Sequence, residues 1–131
     1  MDLNTLTETV IGAAYEVSNT LGAGFLEKLY ERALVRELTL RGIAVVTQTV
    51  YPVAYKGQIV GEYHPDLVIE NILIVELKCV DRFAPTHLAQ CLSYLHASGL
   101  TLALLLNFQH SKVECRRVSL ICVHRFPSAS Q

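Results

Sequence analysis

The sequence has no long hydrophobic run. Its longest purely apolar stretches are Ile72 to Val75 and Leu102 to Leu106, far short of the roughly 20 residues that span a bilayer. The first residues, MDLNTLTET, lack a basic region followed by an apolar one, so no signal peptide and a cytoplasmic location are expected. The four cysteines, Cys79, Cys91, Cys115 and Cys122, form no C-x-x-C pair. Their spacing argues against a thiolate metal or iron–sulfur site and for reduced, mostly buried thiols. Charge of one sign is also missing: the formal net charge is -1. That excludes a broad basic surface that binds nucleic acid by charge alone. It leaves room for a nucleic-acid enzyme whose positive charge is local and supplied by metal ions. Repeats, low-complexity blocks and linkers are absent too.

What is present suits one domain over residues 1–131, with residues 127–131 a frayed tail. Hydrophobic residues make up 51%, enough for a core that needs no disulfide staple. Thr5 to Leu21 reads as a helix opened by a Thr5/Glu8 capping box and stopped by Gly22 and Gly24. Phe25 to Arg41 reads as a second helix, stopped by Gly42. Ile43 to Tyr55 and Gln58 to Glu70 read as strands joined by a Lys56-Gly57 turn, with Pro52 and Pro65 interrupting their ladders. After a Glu70-Asn71 turn, Ile72 to Val80 reads as a central strand. A third helix from Pro85 to about Gly99, a strand from Thr101 to Asn107, and one or two strands within Val113 to Val123 complete the chain. The order α-α-β-β-β-α-β-β predicts a mixed α/β fold, one sheet flanked by helices, with a parallel crossover around the third helix.

The stretch HPDLVIENILIVELK, His64 to Lys78, carries the chemistry. Glu76 and Lys78 are two apart on a strand and share a face. Counting back around the Glu70-Asn71 turn sets Asp66 opposite Val75 or Glu76, where one residue of slip would change its face. Two carboxylates on a rigid sheet suit Mg2+ or Mn2+. The carbonyl of Leu77 offers a further oxygen, and Lys78 would sit beside the nucleophilic water. This set suits hydrolysis of a phosphodiester. A weak surface pair at a strand end is the plain alternative for Glu-x-Lys. Against it, the preceding Ile72-Leu73-Ile74-Val75 predicts a strand covered on both faces, where charges need a reason.

On the third helix, His87, Gln90, Cys91, Tyr94 and Ser98 form an uncharged polar stripe, suited to a semi-buried cleft. Taken alone, His87 reads more simply as a satisfied surface or core histidine. On the second helix, Gly24, Glu27 and Tyr30 fall on one side. Glu27 also complements the helix dipole there. Glu31 with Arg32 and Arg36 reads as a solvated face. Lys112, Arg116, Arg117 and Arg125 read either as flanks of a composite DNA groove in a dimer or as charges on a solvated edge that discourage strand pairing.

GFLEKLY, with Gly24, Glu27 and Tyr30, resembles the signature of the GxxExxY proteins of the PD-(D/E)xK nuclease superfamily. The resemblance runs from Ile11-Gly12-Ala13-Ala14 to Leu104–Phe108. His64-Pro65-Asp66 and Glu76-Leu77-Lys78 look like the superfamily's two metal-site motifs. Gln90 and Tyr94 match the Q-x-x-x-Y element of RecB-type nucleases. The resemblance implies a restriction-endonuclease-like core. It implies Asp66, Glu76 and, in addition, Glu27 as metal ligands, Lys78 as the catalytic lysine, and Gln90 and Tyr94 shaping the cleft. Ser18 and Ala23 stand where relatives often carry histidine and proline, and Leu88 stands where an acid is common. DNA is the expected partner, with a homodimer or a partner protein as further options. The competing expectation is a catalytically silent nuclease-fold module for binding and assembly.

Overall fold

The computed structural model describes residues 1–120. Cys122, Arg125, the expected strand residues 121–123 and the expected frayed tail lie outside them. Helix α1 is Leu3–Leu21 and α2 is Glu27–Leu40. The start of α1 differs from expectation because Asp2 is the cap: its side chain accepts from the Thr5 N–H at 2.8 Å. Leu6, Val10, Ala13, Ala14 and Val17 form the buried stripe of α1. Gly22, at φ 74°, ends the helix in a conformation that a side chain would resist.

Each expected strand of the long hairpin is broken in two. Its base, β1 (Val45–Thr47) and β4 (Leu67–Ile69), pairs within the main sheet. Its tip, β2 (Tyr51–Tyr55) and β3 (Gln58–Tyr63), forms a separate two-stranded ribbon. The breaks fall at Gln48, which has a left-handed backbone of φ 61°, and at His64-Pro65-Asp66. Pro52 is tolerated because every strand of a two-stranded ribbon is an edge. The Lys56-Gly57 and Glu70-Asn71 turns have positive φ at both central residues, as tight hairpin turns require.

The remaining elements are β5 (Leu73–Lys78), α3 (Pro85–Ser98), β6 (Leu102–Asn107) and β7 (Glu114–Ser119). The main sheet runs β1-β4-β5-β6-β7, antiparallel except for the β5–β6 pair joined by α3. It is the expected mixed sheet, and alternation splits its side chains between two cores. Leu67, Ile69, Leu73, Val75, Leu77, Leu104 and Leu106 pack with α1 and α2. Val68, Ile74, Ala103, Leu105 and Val118 pack with Cys91, Tyr94 and Leu95 of α3. Arg116 and Arg117 lie exposed on β7, an edge of the main sheet. No described helix is long and apolar enough to cross a membrane.

Candidate active site

Strand β4 pairs with β5 so that Leu67 faces Val75. One step further along the register, Asp66, just outside β4, meets Glu76, and alternation along β5 turns Glu76 toward α3. Two hydrogen bonds replace the ladder at this point. The Asp66 N–H donates to Glu76 Oε1 at 3.0 Å, and the Leu77 N–H donates to Asp66 Oδ2 at 2.8 Å. Within a strand the N–H and C=O of one residue point the same way, so the Leu77 carbonyl lies on the Asp66 side. The Lys78 carbonyl is taken by the Phe108 N–H at 2.9 Å. Lys78 Nζ is 3.8 Å from Glu76 Oε2, and its side chain keeps 19% of its exposure against 5% for Glu76. Helix α3 closes the site from above, with Tyr94 Oη donating to Glu76 Oε2 at 3.4 Å. The ring of Tyr63, at the end of β3, meets Tyr94 edge-on at 5.7 Å.

Electrostatics mark the carboxylates. Burial, and then the neighbouring Asp66 charge, push Glu76 from an ordinary 4.5 up to about 8, against the pull of the Asp66 N–H and Lys78. Burial also raises Asp66, and the charges of Glu31 and Glu27 raise it further. A pair held this way favours either a shared proton or a cation. The donors are hard oxygens, which fit Mg2+ or Mn2+ better than a soft metal. Among the described residues no group of three or more His, Cys, Asp or Glu is gathered into a metal-binding cluster. That is compatible with Mg2+, which commonly takes one or two carboxylates and keeps several waters.

Other expected residues are distributed unevenly. Gln90 is half-buried on α3, and its side chain makes no hydrogen bond among the described residues. His87 is used locally: its Nδ1 accepts from the Ala84 N–H at 3.0 Å, at the start of α3. Glu27 is the exposed first residue of α2, and its charge reaches both Asp66 and Cys79. Tyr30 corrects the expectation of a cleft residue. It is fully buried, stacks on Phe108 at 4.9 Å, and its hydroxyl donates to the Gly22 carbonyl while accepting from the Phe25 N–H. Its ring belongs to the α1/α2 core and its hydroxyl fastens the interhelix loop.

Glu31 corrects the expectation of a solvated face. It is 7% exposed and pairs with Lys28 at 2.9 Å. Its spacing of three and seven from Leu34 and Leu38 sets it on the buried stripe, a signal the charge pattern masked. With Lys28, Arg32, Gln48, His64 and Asp66 it lines a cavity of about 680 Å³ beside the carboxylate pair.

Comparison with known proteins gives the family and the fold. The profile of the PD-(D/E)XK nuclease superfamily matches residues 4–118. No curated protein matches the chain. Among solved structures, the fold is similar to the alkaline exonuclease LHK-Exo from Laribacter hongkongensis. The TM-score is 0.53 at 14% identity, over 91% of this chain and 75% of that one. LHK-Exo in complex with dAMP is matched with a TM-score of 0.50 at 11% identity, over 93% of this chain and 87% of that one. These likenesses concern the fold. The chain, with its mixed five-stranded sheet and opposed carboxylates, belongs to the PD-(D/E)XK nuclease superfamily.

Proposed function

We propose that this protein is a divalent-metal-dependent nuclease of the GxxExxY type, one domain acting on phosphodiester bonds of DNA in the cytoplasm. The observation that carries the reading is the opposed, buried pair Asp66 and Glu76 with Lys78 beside it. DNA as substrate draws on the fold neighbour, an exonuclease crystallised with dAMP. Asp66, Glu76 and the Leu77 carbonyl would hold Mg2+ or Mn2+. Glu27 and Glu31 would add field that favours the cation. When bound, such an ion supplies Lewis acidity toward the phosphate and acidifies water. Lys78 would orient or help deprotonate the nucleophilic water and offset charge on a phosphate oxygen. Tyr94 fixes the orientation of Glu76 by its hydrogen bond, and Gln90 offers an amide to the strand.

The test is incubation of circular, linear and single-stranded DNA, and of RNA, with Mg2+ or Mn2+ and with chelator. Metal-dependent cleavage of DNA is expected. Glu76→Ala and Lys78→Ala should each lower the rate by about 100-fold or more, the scale of general acid–base contributions. Equal behaviour of the wild type and both variants at high protein concentration sinks the catalytic reading. A second reading, a catalytically silent nuclease-fold module for nucleic-acid or protein binding and assembly, draws on the exposed Tyr55, Ile59 and Val60 of the ribbon. It predicts no metal-dependent thermal shift.

A further inference from the structure

We propose that the cavity between α2 and the His64–Asp66 segment is a subsite for a backbone phosphate of a nucleic-acid strand, with Arg32 as its binding cation. The inference rests on the nuclease reading for its ligand, and on the shape and charge of the cavity for its place. The cavity exists because the hairpin parts there. The β1–β4 ladder ends at Thr47 and Leu67, the β2–β3 ladder begins beyond Val50 and His64, and Gln48 turns through a left-handed backbone between them. The opposite wall is α2, which contributes Lys28, Glu31 and Arg32.

Asp66 belongs both to this cavity and to the carboxylate pair. Anything bound in the cavity therefore adjoins the reacting centre. At about 680 Å³ it falls within the range of sites for small ligands, roughly 300–1,000 Å³, and has the scale of a strand's sugar and phosphate rather than of a duplex. Its charges are unevenly matched. Lys28 is spent on Glu31 at 2.9 Å, whereas Arg32 makes no ion pair among the described residues. A guanidinium presents a fork of donors that suits phosphate oxygens. His64, on the far wall, adds an imidazole to the lining, with its Nε2 3.7 Å from Glu62 Oε1. The oxygens of Asp66 repel an anion, and a cation held by the carboxylate pair would remove that repulsion.

Arg32 is the residue to change. It is exposed, so its loss spares the fold, whereas loss of Lys28 would leave Glu31 buried and unpaired. Binding of a short fluorescein-labelled single-stranded DNA would be followed by anisotropy across a salt series with Mg2+, in a Lys78→Ala background that leaves the strand intact. Arg32→Ala should weaken binding about tenfold and reduce the slope of log affinity against log salt by about 0.7, the value for one phosphate on a single strand. Arg32→Lys should keep the slope. Arg36→Ala, on the same helix but outside this cavity, should change neither quantity. Equal losses from Arg32→Ala and Arg36→Ala, no loss from Arg32→Ala, or no binding by the parent would each overturn the proposal. If the chain with Lys78 cleaves DNA while Arg32→Ala binds normally, the cavity fails and the nuclease stands. If Arg32→Ala behaves as expected and no metal supports cleavage, the nuclease fails and the phosphate site stands.

Discussion

Asn107 is fully buried at the end of β6 and uses all of its amide. Its Oδ1 accepts from the Val80 and Gln109 N–H groups at 3.1 Å, and its Nδ2 donates to the Val80 carbonyl at 2.8 Å and to Glu114 Oε1 at 2.9 Å. These bonds fasten the chain just beyond Lys78, so the residue that closes the motif is held by one outside it. Asn107→Asp would set oxygens against the Val80 carbonyl and the Glu114 carboxylate. A loss of about 2–3 kcal/mol in denaturant-unfolding free energy is expected; a loss under about 0.5 kcal/mol, the scale of an ordinary surface change, would remove this role. Nothing in the sequence around Asn107 announces it, because Val80 and Glu114, which take most of its bonds, lie on other segments. Glu76 and Lys78 were legible, since strand alternation is a local rule. Tyr30 misled because helical spacing says which residues share a side, not what covers that side.

Elements were legible where their signals are local and uneven where pairing decides. The stops at Gly22, Gly42 and Gly99 coincide with positive φ. The parallel crossover through α3 followed from the order of elements, and β5 and β6 do pair in parallel. The splitting of the long hairpin was less visible. Pro65 marks one break, but Gln48 in a run of Val and Thr carries no such mark, and which strand joins which sheet depends on what packs above it. Helix α3 shows how a residue chosen for chemistry is used for structure. His87 accepts from the Ala84 N–H, a donor left over at the helix start. His87→Ala should lower stability by about 0.5–2 kcal/mol, as cap losses do, with the metal-dependent thermal shift kept. Loss of that shift with unchanged stability would return His87 to the cleft.

At the scale of the whole molecule, the buried carboxylates couple stability to pH and to cations. The folded-state value of Glu76 is raised, so its contribution to stability is full below an ordinary 4.5 and is lost as pH rises through about 8. Burial raises Asp66 too, which acts in the same direction. Thermal melts in chelator should therefore show the melting temperature falling from about pH 5 to about pH 9. Glu76→Gln, which cannot ionise, should flatten most of that fall. Mg2+ or Mn2+ should restore stability increasingly as pH rises, because the ion competes with the proton. A metal effect that shrinks with rising pH would argue against binding at this pair.

The sequence by itself determined the element types and the turn at Glu70-Asn71, which brought Asp66 to within one residue of Glu76; the register that opposes the two came with the structure. The element types and the turn depend on dihedral preferences, a period of two and a count of residues across one hairpin. The tertiary structure decided what surrounds the pair. It buried Glu31 beside Asp66, sent Tyr30 into the far core, and parted the hairpin into a sheet and a ribbon with a cavity between them. It also gave Glu76 its raised proton affinity. Burial and charge proximity are sums over segments distant in the chain, and no local pattern carries that sum.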